Sequence, residues 1–156
     1  MSCDAAAAVF LFLAAAGPAE PIRQTAAFEA PVPVKAEPLF VDIVTKAKSL
    51  KVRVDFYRAG VSAAEGAASL DNFDAFKADV TALAELDMKG HDSLLARGLD
   101  SDLKCILRGI AQDLPMRLAE VERAKAAKDQ DKALREMSYL LNDNVEVILA
   151  PPAPPV

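Results

Sequence analysis

One stretch limits what this chain can fold into. From Ser101 to Ala127 the sequence reads SDLKCILRGIAQDLPMRLAEVERAKAA, and Leu103, Ile106, Leu107, Ile110, Leu114, Leu118 and Val121 recur at steps of three and four. That is the period of a single apolar stripe along an α-helix. Asp100 or Ser101 stands where a side-chain oxygen can accept from free N–H groups of the first turn. A helix this long with one apolar side is not stable alone in water, so partner helices must cover the stripe. Pro115 falls inside the stretch and removes the donor that would reach the carbonyl of Ala111. The stripe keeps its phase across Pro115, so one bent helix is expected in place of two.

Three further segments offer cover. The first starts near Pro38 or Leu39 and ends near Gly60, with Phe40, Ile43, Val44, Ala47, Leu50, Val54 and Tyr57 as its stripe. Its second half, LKVRVDF from Leu50 to Phe56, alternates as a strand would. Helix is expected there because the helical stripe begins upstream and no second strand-like run offers a pairing partner. After the small-residue connection VSAAEGAASL (Val61 to Leu70), Asp71 or Asn72 can cap a second helix with Phe73, Phe76, Val80, Leu83 and Leu86 inward. Gly90 interrupts this pattern and is expected to bend or break the helix near Lys89–Asp92. Leu94, Leu95 and Leu99 continue the pattern and Gly98 ends it. The polar run from Glu122 to Lys132 reads as a turn. A last helix runs from about Asp129 or Asp131 to Ile148, with Leu134, Met137, Leu140, Leu141, Val145 and Ile148 inward, and Pro151 stops it.

Four amphipathic segments joined by short connections point to an all-α, antiparallel four-helix bundle over residues 38–149. The chain of 156 residues is long enough to bury a core, and its wealth of Ala and Leu, with no Trp and two Tyr, favours helix over sheet. No internal repeat at solenoid periods is present.

Both flanks differ in kind. Residues 1–19 read as a signal peptide: Ala5 to Ala16, AAAAVFLFLAAA, has the length of an apolar signal core and falls short of the about 20 residues that span a bilayer. Ala14 with Ala16, or Gly17 with Ala19, supplies small residues for cleavage. The leading MSCD departs from the pattern, since it carries Asp4 and no Lys or Arg. Residues 20–37 form a Pro/Ala-rich arm, and 150–156, APPAPPV, a short Pro-rich tail. A periplasmic or secreted location follows from this reading.

Charge narrows the partners. A formal net charge of -5 gives no attraction to phosphate backbones, so no nucleic-acid partner is expected. Lys46, Lys48, Lys51, Arg53 and Arg58 crowd one segment, diluted by Asp42 and Asp55. They read either as a solvated helix face or as a docking patch for an acidic partner.

The parts for common chemistries are missing. The sequence has one histidine, His91, and contains no GxSxG, HExxH or Gly-rich phosphate loop, and no ExxH pair for a carboxylate di-metal site. No catalytic residue and no cofactor is assigned. The one metal candidate is the pair Met88 and His91 in ELDMKGHD, three apart on a helix and suited to a soft ion; Asp87 with His91 would suit zinc. Two ligands do not make a site. In shape the expected bundle resembles the periplasmic four-helix cytochromes, which implies a small-ligand or metal/haem carrier as an alternative function. No CxxCH is present, the first helix has no Met and the last has no His, so the haem ligands of that family map onto no residue here.

Two cysteines, Cys3 and Cys105, do not make a disulfide framework. At about 100° per residue, Cys105 points away from the apolar stripe and shares a weakly polar face with Gly109, Gln112 and Met116. That face is a candidate interface for a partner or a second copy, with Cys105 either outward or tucked against a neighbour. The favoured expectation is an exported, non-catalytic interaction or accessory protein of the cell envelope, not membrane-spanning. A cytoplasmic helical interaction protein is the remaining alternative, should the N-terminus be only an Ala-rich arm.

Overall fold

The structure, a computed structural model, describes residues 33–62, 64, 66–98 and 102–150. The signal-like run, most of the arm, the residues Asp100 and Ser101 expected to cap the third helix, and the tail beyond Ala150 lie outside the described residues. Four α-helices follow one another: α1 (Pro38–Val61), α2 (Phe73–Ala96), α3 (Asp102–Arg123) and α4 (Ala127–Leu149). No helix among the described residues is long and apolar enough to cross a membrane.

Each helix packs on two neighbours, α1 on α2 and α4, α3 on α2 and α4, which makes a square bundle with α1 diagonal to α3 and α2 to α4. Cross-helix pairs fix the directions. Glu37 before α1 meets Arg97 after α2, while Tyr57 near the end of α1 meets Asp71 before α2. Lys77 of α2 pairs with Glu122 of α3, and Arg58 of α1 with Asp131 of α4. Sequential helices are antiparallel, as the short connections require.

The core is the meeting of the four stripes. Phe40, Ile43, Leu50, Val54, Phe76, Val80, Leu83, Leu107, Leu114, Leu134, Met137, Leu141 and Ile148 are buried in it. Ile106, Leu140 and Val145 are half-buried at its edge. Leu50 to Phe56 is helical throughout, so the strand-like alternation does not prevail. The described end of the arm is part of the fold: Val34–Ala36 forms one 3-10 turn, and Val34 packs against the core.

Three expectations are corrected. Gly90 does not break α2, which runs unbroken from Phe73 to Ala96. The position is buried, and packing against α1 and α3 outweighs the roughly 1 kcal/mol of propensity that glycine forfeits. The polar turn is shorter than expected. Only residues 124–126 separate α3 from α4, so Ala127, Lys128 and Asp129 open α4. Neither Asp71 nor Asn72 caps α2 with its side chain. Asn72 adopts a left-handed φ of 53°, a conformation Asn tolerates, and makes no side-chain cap. Instead α1 reads the backbone there: Tyr57 donates to the carbonyl of Asp71, and Arg53 Nη2 donates to that of Asn72 at 2.8 Å. Gly98, at φ +63°, ends the second helical hairpin arm as expected. Pro115 lies within one continuous α3.

Candidate functional site

The predicted metal pair is not brought together into a site. His91 is buried, 9% exposed, and its Nδ1 lies 2.6 Å from the carbonyl of Lys104 at the start of α3. A carbonyl only accepts, so Nδ1 carries the proton and donates. Met88 is 36% exposed and lines the shallow α2–α3 groove with Ala84, Lys89 and Ala111. Among the described residues no group of three or more His, Cys, Asp or Glu is placed to hold a metal ion. Neither Met88 nor His91 is therefore identified as a ligand.

The predicted interface residues do share a flank. Cys105 is an exposed free thiol, Gln112 is exposed, Gly109 is half-buried and Met116 is 53% exposed. Next along α3, Arg117 turns to α4 and pairs with Glu136 at 2.7 Å. The Cys105 thiol is outward, not tucked against a neighbour.

Four of the five basic residues crowded on α1 form ion pairs within the bundle. Lys46 and Arg53 converge on Asp79 of α2 at 3.4 and 3.3 Å, Lys51 reaches Asp55 at 2.8 Å, and Arg58 reaches Asp131 at 3.1 Å. Lys46, Arg53, Asp42 and Asp79 line a groove of about 410 Å³ between α1 and α2. With positive and negative groups alternating in it, the groove presents no uniform field to an acidic partner.

Two features escaped the sequence reading. The first is an apolar surface at the end of α1. Val52 and Phe56 stand one turn apart and are 71% and 67% exposed, while Leu50, Val54 and Tyr57 fill the core. Phe56 forms one wall of a depression of about 250 Å³ with Ala59, Val61, Ala68 and Leu70. Its signal was present in LKVRVDF: Val52 and Phe56 are apolar residues out of phase with the inward stripe, and they produce the strand-like alternation. The second is a polar pair inside the core. Asp87 of α2 and Asn144 of α4 are both 0% exposed. Asn144 Nδ2 donates to Asp87 Oδ2 at 2.8 Å across the bundle diagonal. The other oxygens, Asp87 Oδ1 and Asn144 Oδ1, have no partner. Burial pushes the Asp87 carboxyl up to about 7, against the Asn144 bond, which lowers it. The signal for this pair was also periodic. Asp87 falls in phase with Val80, Leu83 and Leu94, and Asn144 with Met137, Leu141 and Ile148.

Comparisons with protein-family models, with curated proteins and with solved structures found no match to this chain.

Proposed function

We propose that the chain is an exported interaction or accessory protein that binds a protein partner through the outer surface of its helical bundle. The observation that carries this reading is the Val52–Phe56 pair. Two large apolar side chains, one helical turn apart, face water although the core is filled without them. Single exposed apolar residues are ordinary, but an i, i+4 pair beside an apolar depression is the arrangement by which a helix presents anchors to another protein. Export rests on the apolar run Ala5 to Ala16 and the small residues after it.

A photoreactive residue at position 56, in the protein expressed in its own cell, tests the binding surface. The expected result is a discrete crosslinked species that is lost when Val52→Ser is added. A control at Glu85, on a different helix, should give none. Identical crosslinking from both positions would overturn the reading. Because Val52 is exposed, Val52→Ser should leave stability within about 0.5 kcal/mol. Intact mass of the same native protein tests export, with loss of residues through Ala16 or Ala19 as the expected result.

A further inference from the structure

Asp87 and Asn144 leave two buried oxygens that one added hydrogen would satisfy. Asn144 Nδ2–H already donates to Asp87 Oδ2 at 2.8 Å. The two remaining oxygens belong to the same two planar groups, and both are buried without a donor. Two acceptors cannot satisfy each other unless one carries hydrogen. A buried acceptor left unmatched is costly, and a buried carboxylate without a cation more so.

We infer that Asp87 is protonated in the folded protein and that it closes a carboxylic acid–amide ring with Asn144, a proton-operated latch between the diagonal helices α2 and α4. Asp87 Oδ1–H donates to Asn144 Oδ1, and Asn144 Nδ2–H donates to Asp87 Oδ2. One proton thus satisfies both orphan oxygens. When the latch opens, the Oδ1–H bond breaks, its electron pair stays on Asp87, and the proton passes to water. The carboxylate oxygen and the amide oxygen are then both buried acceptors without a donor.

The surroundings leave the proton as the means of neutralising Asp87. On α2, His91 is one turn away and committed to the Lys104 carbonyl, while Glu85 and Lys89 are exposed. Near its level α1 carries Asp42 and Lys46, and α4 carries Asp143 and Glu146. On α3 the exposed Arg108 and the half-buried Asp113 are the charged residues nearest in register, with the half-buried Lys104 one turn beyond. Burial, which raises the Asp87 carboxyl, and the Asn144 hydrogen bond, which lowers it, dominate its state. The layer around it is apolar: one turn on, the bare backbone of Gly90 faces Ile43 and Phe40 of α1 and Leu107 of α3.

The sign of the pH effect follows from linkage. The folded state holds a proton that the unfolded chain has released over the window from the ordinary carboxylate range, 3.8, up to about 7. Across that window the folding equilibrium constant falls by about tenfold per pH unit on account of Asp87, and above it the contribution is flat. The latch is therefore closed in mildly acidic surroundings and weakened at neutral pH and above.

The test compares the full chain with Asp87→Asn by urea unfolding from pH 4 to pH 8. An amide at position 87 keeps both ring hydrogen bonds without a titratable proton. The ratio of the two folding constants should fall about tenfold per pH unit up to about 7 and then level off, leaving Asp87→Asn the more stable protein at pH 8. Other titrating groups, His91 included, cancel in the ratio. A ratio independent of pH would overturn the proposal. The carbon-13 resonance of the Asp87 carboxyl group in the unaltered chain supplies a second measurement that needs no variant. Titration well above the usual carboxylate range supports the ring, and an ionised signal at pH 5 refutes it.

Discussion

Gly90 faces Leu107 with no side chain between them: a Cβ built on Gly90 would stand 3.1 Å from Leu107 Cδ1, 3.3 Å from Ile43 Cδ1 and 3.4 Å from Phe40 Cε1. All three neighbours are fully buried, so they have little room to yield. Gly90→Ala therefore sets a propensity gain of about 1 kcal/mol against an overpacking cost of roughly 1–3 kcal/mol. A net loss of about 1 kcal/mol is expected, and Gly90→Leu should cost well over about 3 kcal/mol. Gly109 of α3 is the internal control, because a Cβ there meets nothing within 4 Å. Gly109→Ala should stabilise by up to about 1 kcal/mol through propensity alone. Urea unfolding midpoints at unchanged slope measure both.

The same glycine marks where the sequence is legible and where it is not. The helices of this chain are written as period, and the period survives local flaws. Pro115 sits within one continuous α3, and LKVRVDF is helix despite its alternation. Propensity, a local quantity, predicts a bend or break at Gly90, whereas its close approach to Leu107 is a property of two helices. Asp87 and Asn144 lie in phase with the apolar stripes, so their burial was readable. Their pairing was not, since it joins α2 to α4 across 57 positions of sequence. Exposure of Val52 and Phe56 was likewise readable from phase, but only once the segment is known to be helix. A spacing of three places Met88 and His91 on one helix side, and the bundle draws His91 inward to the Lys104 carbonyl while Met88 lines a surface groove, a division that spacing alone does not show.

Gln130 ties the long connection to the bundle. Its Oε1 accepts from the Ala68 N–H at 2.8 Å, and its Nε2 donates to the Ala68 carbonyl at 3.0 Å. The side chain is buried, so both backbone groups depend on it in place of water. Gln130→Leu removes both bonds and should cost about 1–3 kcal/mol. Gln130→Glu keeps the acceptor, loses the donor and buries a charge, so it should be at least as damaging at neutral pH. Faster limited proteolysis between Val61 and Asn72, with the helical circular dichroism signal retained, is the expected local signature.

Asp55 should contribute a pH dependence opposite in sign to that of Asp87. Burial raises its carboxyl, but hydrogen bonds from Lys51 and Ser138 and the charges of Lys51 and Arg58 outweigh this and hold it below its ordinary value of 3.8. A depressed carboxyl stabilises the fold above the unfolded-state value and loses that contribution as pH falls through the folded one. The side chain is 45% exposed, so screening limits the effect to less than about 1 kcal/mol. Asp55→Asn retains an acceptor for the buried Ser138 hydroxyl, which now donates to Asp55 Oδ1 at 2.9 Å, and so isolates the charge. The variant should be slightly less stable than the parent at pH 7, with the gap closing below 3.8.

Cys105 is exposed and unpaired on the α3 flank that also carries Gln112 and Met116. An exposed thiol on a folded helix reacts without prior opening of the structure. In a Cys3→Ser background, an aromatic disulfide reagent should therefore titrate one thiol per chain at the same rate with and without mild denaturant. If two copies meet through this flank, oxidation without reductant should also give a disulfide-linked dimer at low protein concentration. Cys105→Ser should abolish that species, and Met116→Lys should suppress it by placing a charge on the same face. A dimer that persists in Met116→Lys would mean that the thiols meet by random collision, because a specific interface on this flank would not tolerate the buried lysine.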